Sequence, residues 1–256
     1  MTSTTTTGRL GALGRAELTL LVRNRTAVFV ALLMPLMMIF AMKSSLERVD
    51  LGGTGLTVAG AALSGGLGMV LLQVVYMNLV ATYVARREEL VLKRLRTGEV
   101  LDREILIGTA LPAVSLAFAQ CVLMIAAGGL AFGLGAPRRP GLLVLGLLLG
   151  VLLLSALAAV TSALTRTVQT AQLTTLPVFL VSILGSGLFV PLEILPDRAA
   201  SLCELLPVTG VMTLVRVGWL GGGDGYGLLG AGLTALAWTA FAVFAVQRWF
   251  RWDPRR

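Results

Sequence analysis

Arg86-Arg87-Glu88-Glu89-Leu90-Val91-Leu92-Lys93-Arg94-Leu95-Arg96-Thr97-Gly98 separates two long apolar runs and carries five of the chain's 21 basic residues. In a chain with so few charges, that density marks a segment in water between two that are not. The stretch also has a helical pattern. Glu89 precedes Lys93 by one helical turn, the favourable order for an ion pair on a helix surface. Val91 and Leu95 fall on one face with Leu92 beside them, and Gly98 supplies a stop. The pattern predicts a short surface helix that offers apolar knobs and charges together to a partner.

Outward from this segment the composition is that of a membrane protein. Hydrophobic residues make up 56% and charged residues 13% of the chain, with a mean hydropathy of +0.88, where soluble domains carry about 25% charge. Several nearly uncharged runs reach the roughly 20 residues needed to cross about 30 Å of hydrocarbon. The expected fold class is an all-α polytopic membrane protein. The net charge of +8 is spread over loops, which fits loop orientation and not nucleic-acid binding. Cys121 lies in an apolar run and Cys203 in a loop, without metal-site spacing or a disulfide framework. There is no histidine.

The chain reads as a single transmembrane domain over 1–256. Residues 1–7 form a polar, low-complexity tail, expected to be disordered. No signal peptide is expected, because the first long apolar run lacks a small-residue cleavage site. Residues 8–25 place Leu10, Leu13, Leu18, Leu21 and Val22 at helical spacing with Arg9, Arg15, Arg23 and Arg25 among them, the pattern of an amphipathic helix lying at the membrane interface. Spans are predicted at about 26–42, 55–85, 105–134, 141–164, 168–190 and 226–246, with Pro35 and Pro177 as interior kinks. Between the last two, Pro191, Pro196 and Pro207 punctuate apolar patches too short to cross, with Glu193 among them. This predicts a loop with interfacial or re-entrant helices. Residues 221–225 form a glycine-rich turn, and Gln247 to Trp252 form an aromatic and basic interface anchor. Six spans put both termini on one side. Fifteen basic residues fall on that side and six opposite (Lys43, Arg48, Arg138, Arg139, Arg198 and Arg216). The excess places the termini and residues 86–98 in the cytoplasm of a cell that carries the chain in its cytoplasmic membrane.

Two stretches carry a family resemblance. Residues Glu88 to Thr97, followed by Arg103-Glu104-Ile105-Leu106-Ile107-Gly108, resemble the coupling-helix region of the ABC-2 permeases of ABC exporters. Ser186 to Pro196, with Leu206-Pro207-Val208-Thr209 and Leu214-Val215-Arg216, resembles that family's loop between spans five and six. With the matching topology, the resemblance covers nearly the whole chain. It departs at Gly98, Thr109 and Gly210, where the family often has a proline, a basic residue and an aromatic residue or histidine. The resemblance implies a coupling helix on which Glu88, Glu89, Val91, Lys93, Arg94, Leu95 and Arg96 face an ATPase. It assigns the outer loop to Pro191, Glu193, Pro196 and Pro207. It further implies a permease dimer, here a homodimer, with separate P-loop ATPase subunits that hold the ATP and Mg²⁺, exporting a hydrophobic drug, antibiotic or lipid as in efflux and antibiotic resistance. No catalytic residue, cofactor or metal is expected in this chain itself. Leu63-Ser64-Gly65-Gly66-Leu67 superficially matches an ATPase signature, but it lies within a span and no G-x-x-x-x-G-K-[ST] loop accompanies it.

Polar residues within the spans suggest a substrate path. At 100° per residue Gln73, Tyr76 and Tyr83 share one face of span two, and Thr175, Ser182 and Ser186 share one face of span five. These faces are either a cavity wall or interhelical hydrogen-bonding surfaces. No acidic residue lies deep in a predicted span, which argues against a proton-coupled carrier. Metal hydrolysis and paired-carboxylate chemistry lack their residues. A membrane scaffold or assembly protein without transport, and a permease for lipid-linked glycan or ion export, are the alternatives to hydrophobic-compound export.

Overall fold

The computed structural model describes residues 33, 37, 39–41, 43–44, 57–96, 101–188, 192, 195–223, 225–250 and 252. The tail 1–7, the amphipathic segment 8–25 and most of the first expected span, 26–42, lie outside them, as do 97–98, Pro191 and Glu193. The described residues form helices and no strands. They are α1 (Val58–Glu88), α2 (Val91–Arg96), α3 (Asp102–Phe132), α4 (Pro140–Leu164), α5 (Val168–Gly185), α6 (Asp197–Glu204), α7 (Thr209–Leu220) and α8 (Gly225–Trp249). Among them α1, α3, α4, α5 and α8 are long and apolar enough to cross a membrane, and α6 with α7, bent by 101°, would make a sixth if counted as one span. The protein is an all-α polytopic membrane protein.

The helix ends follow local chemistry. Thr57 caps α1 by accepting the Gly60 N–H at 3.2 Å. Glu104 folds back to accept the Leu101 N–H at 3.1 Å, one half of a capping box at the start of α3. Pro140 opens α4 at its first turn, where a missing N–H costs nothing. Thr167 caps α5, which ends at Gly185, short of the expected 190. Three successive glycines, Gly221 to Gly223, hold φ between 73° and 78°, a run of left-handed backbone that side chains disfavour. They turn the chain from α7 into α8.

Helices α1, α4 and α7 make the centre of the bundle. Along α1, 78% of the apolar window is buried, against 22% in both α5 and α8. Outward-facing leucines such as Leu130, Leu184 and Leu229 are exposed, as lipid-facing positions are. One end of the bundle gathers Arg87, α2, Asp102, Thr165 and Trp252 and is called here the basic end. The other gathers Phe132, Arg138 and the 221–223 turn.

Helix α7 does not cross. It begins opposite Gly150, ten residues along α4, which places it about 15 Å below the level of Pro140. It then returns toward the end it came from, where Arg138 and Arg139 donate backbone bonds to Trp219 and Gly218 at 3.2 and 2.9 Å. Nearly all of its residues are buried, so this part of the expected re-entrant loop sits inside the protein and not against lipid.

Glycines admit it. A methyl group at Gly146 would stand 2.9 Å from Val215 Cγ2, one at Gly150 2.9 Å from Val211 Cγ1, and one at Gly218 2.7 Å from Leu143 Cα. A methyl group at Gly210 would run into the Ala231 carbonyl oxygen of α8. Gly146 and Gly150 form a G-x-x-x-G pair, the spacing that lets helices approach closely where lipid offers no hydrophobic driving force.

Gly218→Ala is therefore expected to destabilise the detergent-solubilised protein by about 1–3 kcal/mol, because Leu143 backbone must move. Gly230→Ala, at a position with nothing within 4 Å, should leave thermal unfolding unchanged. Equal unfolding temperatures for the two variants would overturn the close-packing account.

Candidate functional site

The helix predicted over 86–98 is two pieces. The Glu89 N–H donates to Ala85 O at 2.9 Å and the Leu90 N–H to Arg87 O at 3.1 Å, closing α1. Leu90 then adopts φ 60°, the sole non-glycine residue with positive φ among those described. A left-handed leucine costs about 1–2 kcal/mol. It turns the chain sharply enough for α2 to begin at once, with the Arg94 N–H on Leu90 O at 3.0 Å. This corrects the expected surface helix. Glu88 ends α1 and Glu89 sits in the joint, so the Glu89–Lys93 pairing that a continuous helix would provide is not formed. Helix α2 itself holds Val91, Lys93, Arg94, Leu95 and Arg96.

Leu92 carries the attachment of α2. It is fully buried against the long helices, while Val91 is half-buried. Leu90 at 40% exposure and Leu95 at 36% look outward, among exposed Lys93, Arg94 and Arg96. The apolar knobs are thus divided between a residue that fastens the helix and residues left for something else.

Arg96 ties α2 to its neighbours. Its Nε lies 3.2 Å from Asp102 Oδ1, the first residue of α3, and its guanidinium sits 5.0 Å from the Trp252 ring centroid. Trp252 packs edge-on against Phe250 at 4.9 Å, and Phe250 against Tyr83 at 6.2 Å. Tyr83 donates its hydroxyl to Leu106 O at 3.1 Å. Arg96 and Asp102 are about half exposed, so this linkage sets position more than stability.

Arg87 differs from every other charge in the segment. The expectation places it in water, but only 1% of it is exposed. Its Nη1 donates to Ser162 O at 2.8 Å and its Nη2 to Thr165 O at 2.5 Å. These are carbonyls at the C-terminal end of α4, where helical partners run out and the helix dipole is negative. A fork of two donors fits two adjacent acceptors in a way that a lysine does not. The signal was periodicity. Arg87 follows Val80 by seven residues and Tyr83 by four, on a stripe whose other members are buried.

The six polar residues predicted to line a path are dispersed. Tyr76, with no exposure, hydrogen-bonds Thr161 Oγ1 at 3.1 Å. Gln73 is half-buried, and both lie in a π-helical stretch of α1, Leu71–Met77. Thr175 donates to its own helix at Gln172 O, 2.8 Å away. Ser182 is buried. Ser186 accepts from Thr209 at 3.2 Å, joining the end of α5 to the start of α7. Tyr83 alone of the six lines a cavity of about 1060 Å³ between helices. Of the outer-loop residues, Pro196 is exposed before α6 and Pro207 half-buried in the turn before α7. Among the described residues no cluster of His, Cys, Asp and Glu fits a metal ion.

The geometry is that of a helical bundle with a short helix braced at one end. Comparison with family models matches residues 9–220 to the family described as ABC-2 type transporter. No curated protein matches the chain.

Replacing Arg87 by Met removes one donor from each of two helix-end carbonyls, although Ser162 O keeps the Thr165 N–H. The thermal unfolding temperature is expected to fall on the order of 5 °C, with Arg87→Lys between it and the wild type. Unfolding of Arg87→Met at the wild-type temperature would show that the clamp adds nothing to stability.

Proposed function

The chain belongs to the ABC-2 type transporter family, whose domains are membrane permeases without an ATPase site of their own, and on that premise we propose that it is the permease of an exporter. It moves a hydrophobic compound (a drug, an antibiotic or a lipid) out across the cytoplasmic membrane. ATP and Mg²⁺ are held and hydrolysed on a separate P-loop ATPase subunit, and two copies of this permease pair as a homodimer. The basic end faces the cytoplasm, by the fifteen-to-six division of basic residues between the two sides.

The observation that carries this reading is the division of labour in α2. A permease driven from outside itself must accept displacement through a contact that is stiff on one side and open on the other. Leu92 is locked into the bundle, and Arg96 is fastened to Asp102. Leu90 and Leu95 remain exposed beside three cations. In this reading Leu95, with Leu90 beside it, enters a groove on the ATPase, and Lys93 and Arg94 orient it. The push then reaches α1 through the Leu90 joint and α4 through Arg87. The scarcity of charge within the spans suits an apolar cargo, because an anionic glycan would need basic residues along its route.

Leu95→Asp is expected to abolish export while leaving membrane abundance unchanged, since the residue lies outside the lipid. Loss of one interface anchor should weaken ATPase copurification roughly five- to thirtyfold. Full export by an abundant Leu95→Asp protein would sink the coupling role. In intact cells a cysteine introduced at Thr97 should be blocked only by membrane-permeant thiol reagents. Labelling there by an impermeant reagent would invert the topology.

A further inference from the structure

Between α3 on one side and the α4/α8 pair on the other runs a cleft that the transport reading does not use. Tyr83 of α1 and Leu106, Ala110 and Ala159 lie along it, and its volume of about 1060 Å³ stands at the top of the roughly 300–1,000 Å³ range of small-molecule sites. Leu148 and Leu152 in the middle of α4, and Ile107 in the second turn of α3, line it and are each 51% exposed on apolar helices, so it opens sideways toward lipid and not toward water. On α3 the lining runs from Asp102 to Val114, about 18 Å of helix, a little over half the roughly 30 Å hydrocarbon thickness. The cleft is therefore about one leaflet deep.

Its two ends differ. The interior is hydrocarbon, whereas the mouth at the basic end carries Asp102, Arg103, Gln247 and Trp252. Asp102 is already paired with Arg96, and the nearby Glu104 carboxylate is turned to the Leu101 N–H. Among the described residues Arg103 has no ionic partner and is exposed. Among the described residues the mouth thus presents one uncompensated cation, an amide and an indole above an apolar slot of leaflet depth.

We infer that this cleft is a binding site for an anionic phospholipid of the leaflet adjoining the basic end, its acyl chain between α3 and α4/α8 and its phosphate on Arg103. The charge at the mouth selects an anionic over a zwitterionic headgroup. The indole of Trp252 sits at the headgroup level, where such rings concentrate. Because Arg96 holds both Asp102 and Trp252, a lipid seated here touches the same residues that brace α2. The site goes beyond the exporter reading and does not depend on which face of the membrane the basic end occupies.

Native mass spectrometry of the intact purified chain, titrated with dioleoyl phosphatidylglycerol and dioleoyl phosphatidylcholine in turn, tests this without any ATPase. The wild type is expected to retain the glycerol lipid about fivefold more tightly. Arg103→Gln, an exposed change, should bring it to the choline level, and Ser155→Phe, which fills the wall, should weaken both. Equal retention of the two lipids by the wild type, or a preference unchanged in Arg103→Gln, would overturn the site. A photoreactive residue at Leu152 supplies a readout independent of how Ser155→Phe folds. An adduct of phospholipid mass supports the inference, and an adduct on a peptide of this chain, from the same or a second copy, overturns it.

Discussion

A buried guanidinium at the end of a helix governs how the two halves of this bundle are joined. Arg87 leaves α1 at the last turn before the chain breaks and takes hold of Ser162 and Thr165 at the end of α4. A charge with 1% exposure is costly unless its donors are met, and here two of them reach carbonyls at the end of α4, where Ser162 O also accepts the Thr165 N–H at 3.2 Å. The two bonds have a defined geometry, so the contact is specific in a way that leucine packing in lipid is not. The position of α2 follows from it, because only the Leu90 turn separates Arg87 from the short helix.

The remainder of the core depends on how closely backbones approach. Helix α7 reaches the middle of the bundle because Gly146, Gly150, Gly210 and Gly218 remove the side chains that would keep it out. Its polar start is satisfied locally. Thr209 Oγ1 lies 2.6 Å from Cys203 O and 3.2 Å from Ser186 Oγ, and Trp238 of α8 donates to Leu205 O at 2.8 Å. A non-crossing helix within the span region is tolerable only with such partners. The clamp at Arg87 and the glycine seam thus fix the two ends of α4, and the other helices are arranged around it.

Much of this architecture is legible in the amino-acid order because lipid imposes a coarse rule. Runs of the required length and apolarity become helices, and a cluster of charge between two of them lies at an aqueous level. The prolines at 196 and 207 flagged a broken segment, and the chain there forms two short helices bent by 101°. What the order conceals are features set by three-dimensional neighbours. Arg87 stands among five basic residues and differs from them only in facing α4. Leu90 resembles any helical leucine, yet the anchoring of Leu92 on one side and Arg87 on the other forces it into a left-handed turn. Gln73 and Tyr76 lie on a common face only if 3.6 residues make each turn, and the π-helical stretch alters that count. The cleft beside α3 is invisible for the same reason, since it is a gap between elements and not a pattern within one.

The π-helical stretch of α1 has a further meaning for how such a chain can vary. Over Leu71–Met77 the backbone holds more residues per turn than the helix on either side, so the helix stores surplus length at mid-membrane. Removing one residue there would let the backbone revert to ordinary helical bonding. Six α-helical residues turn through about the same angle as seven π-helical ones, so everything beyond would keep nearly the same bearing. Tyr83 would stay at the cleft and Arg87 on α4, whereas the same deletion in an ordinary helical turn would swing both by about 100°. The stretch therefore acts as a buffer of chain length. It can give up one residue locally, so a loss of chain length there need not be felt at the far end as a change of direction.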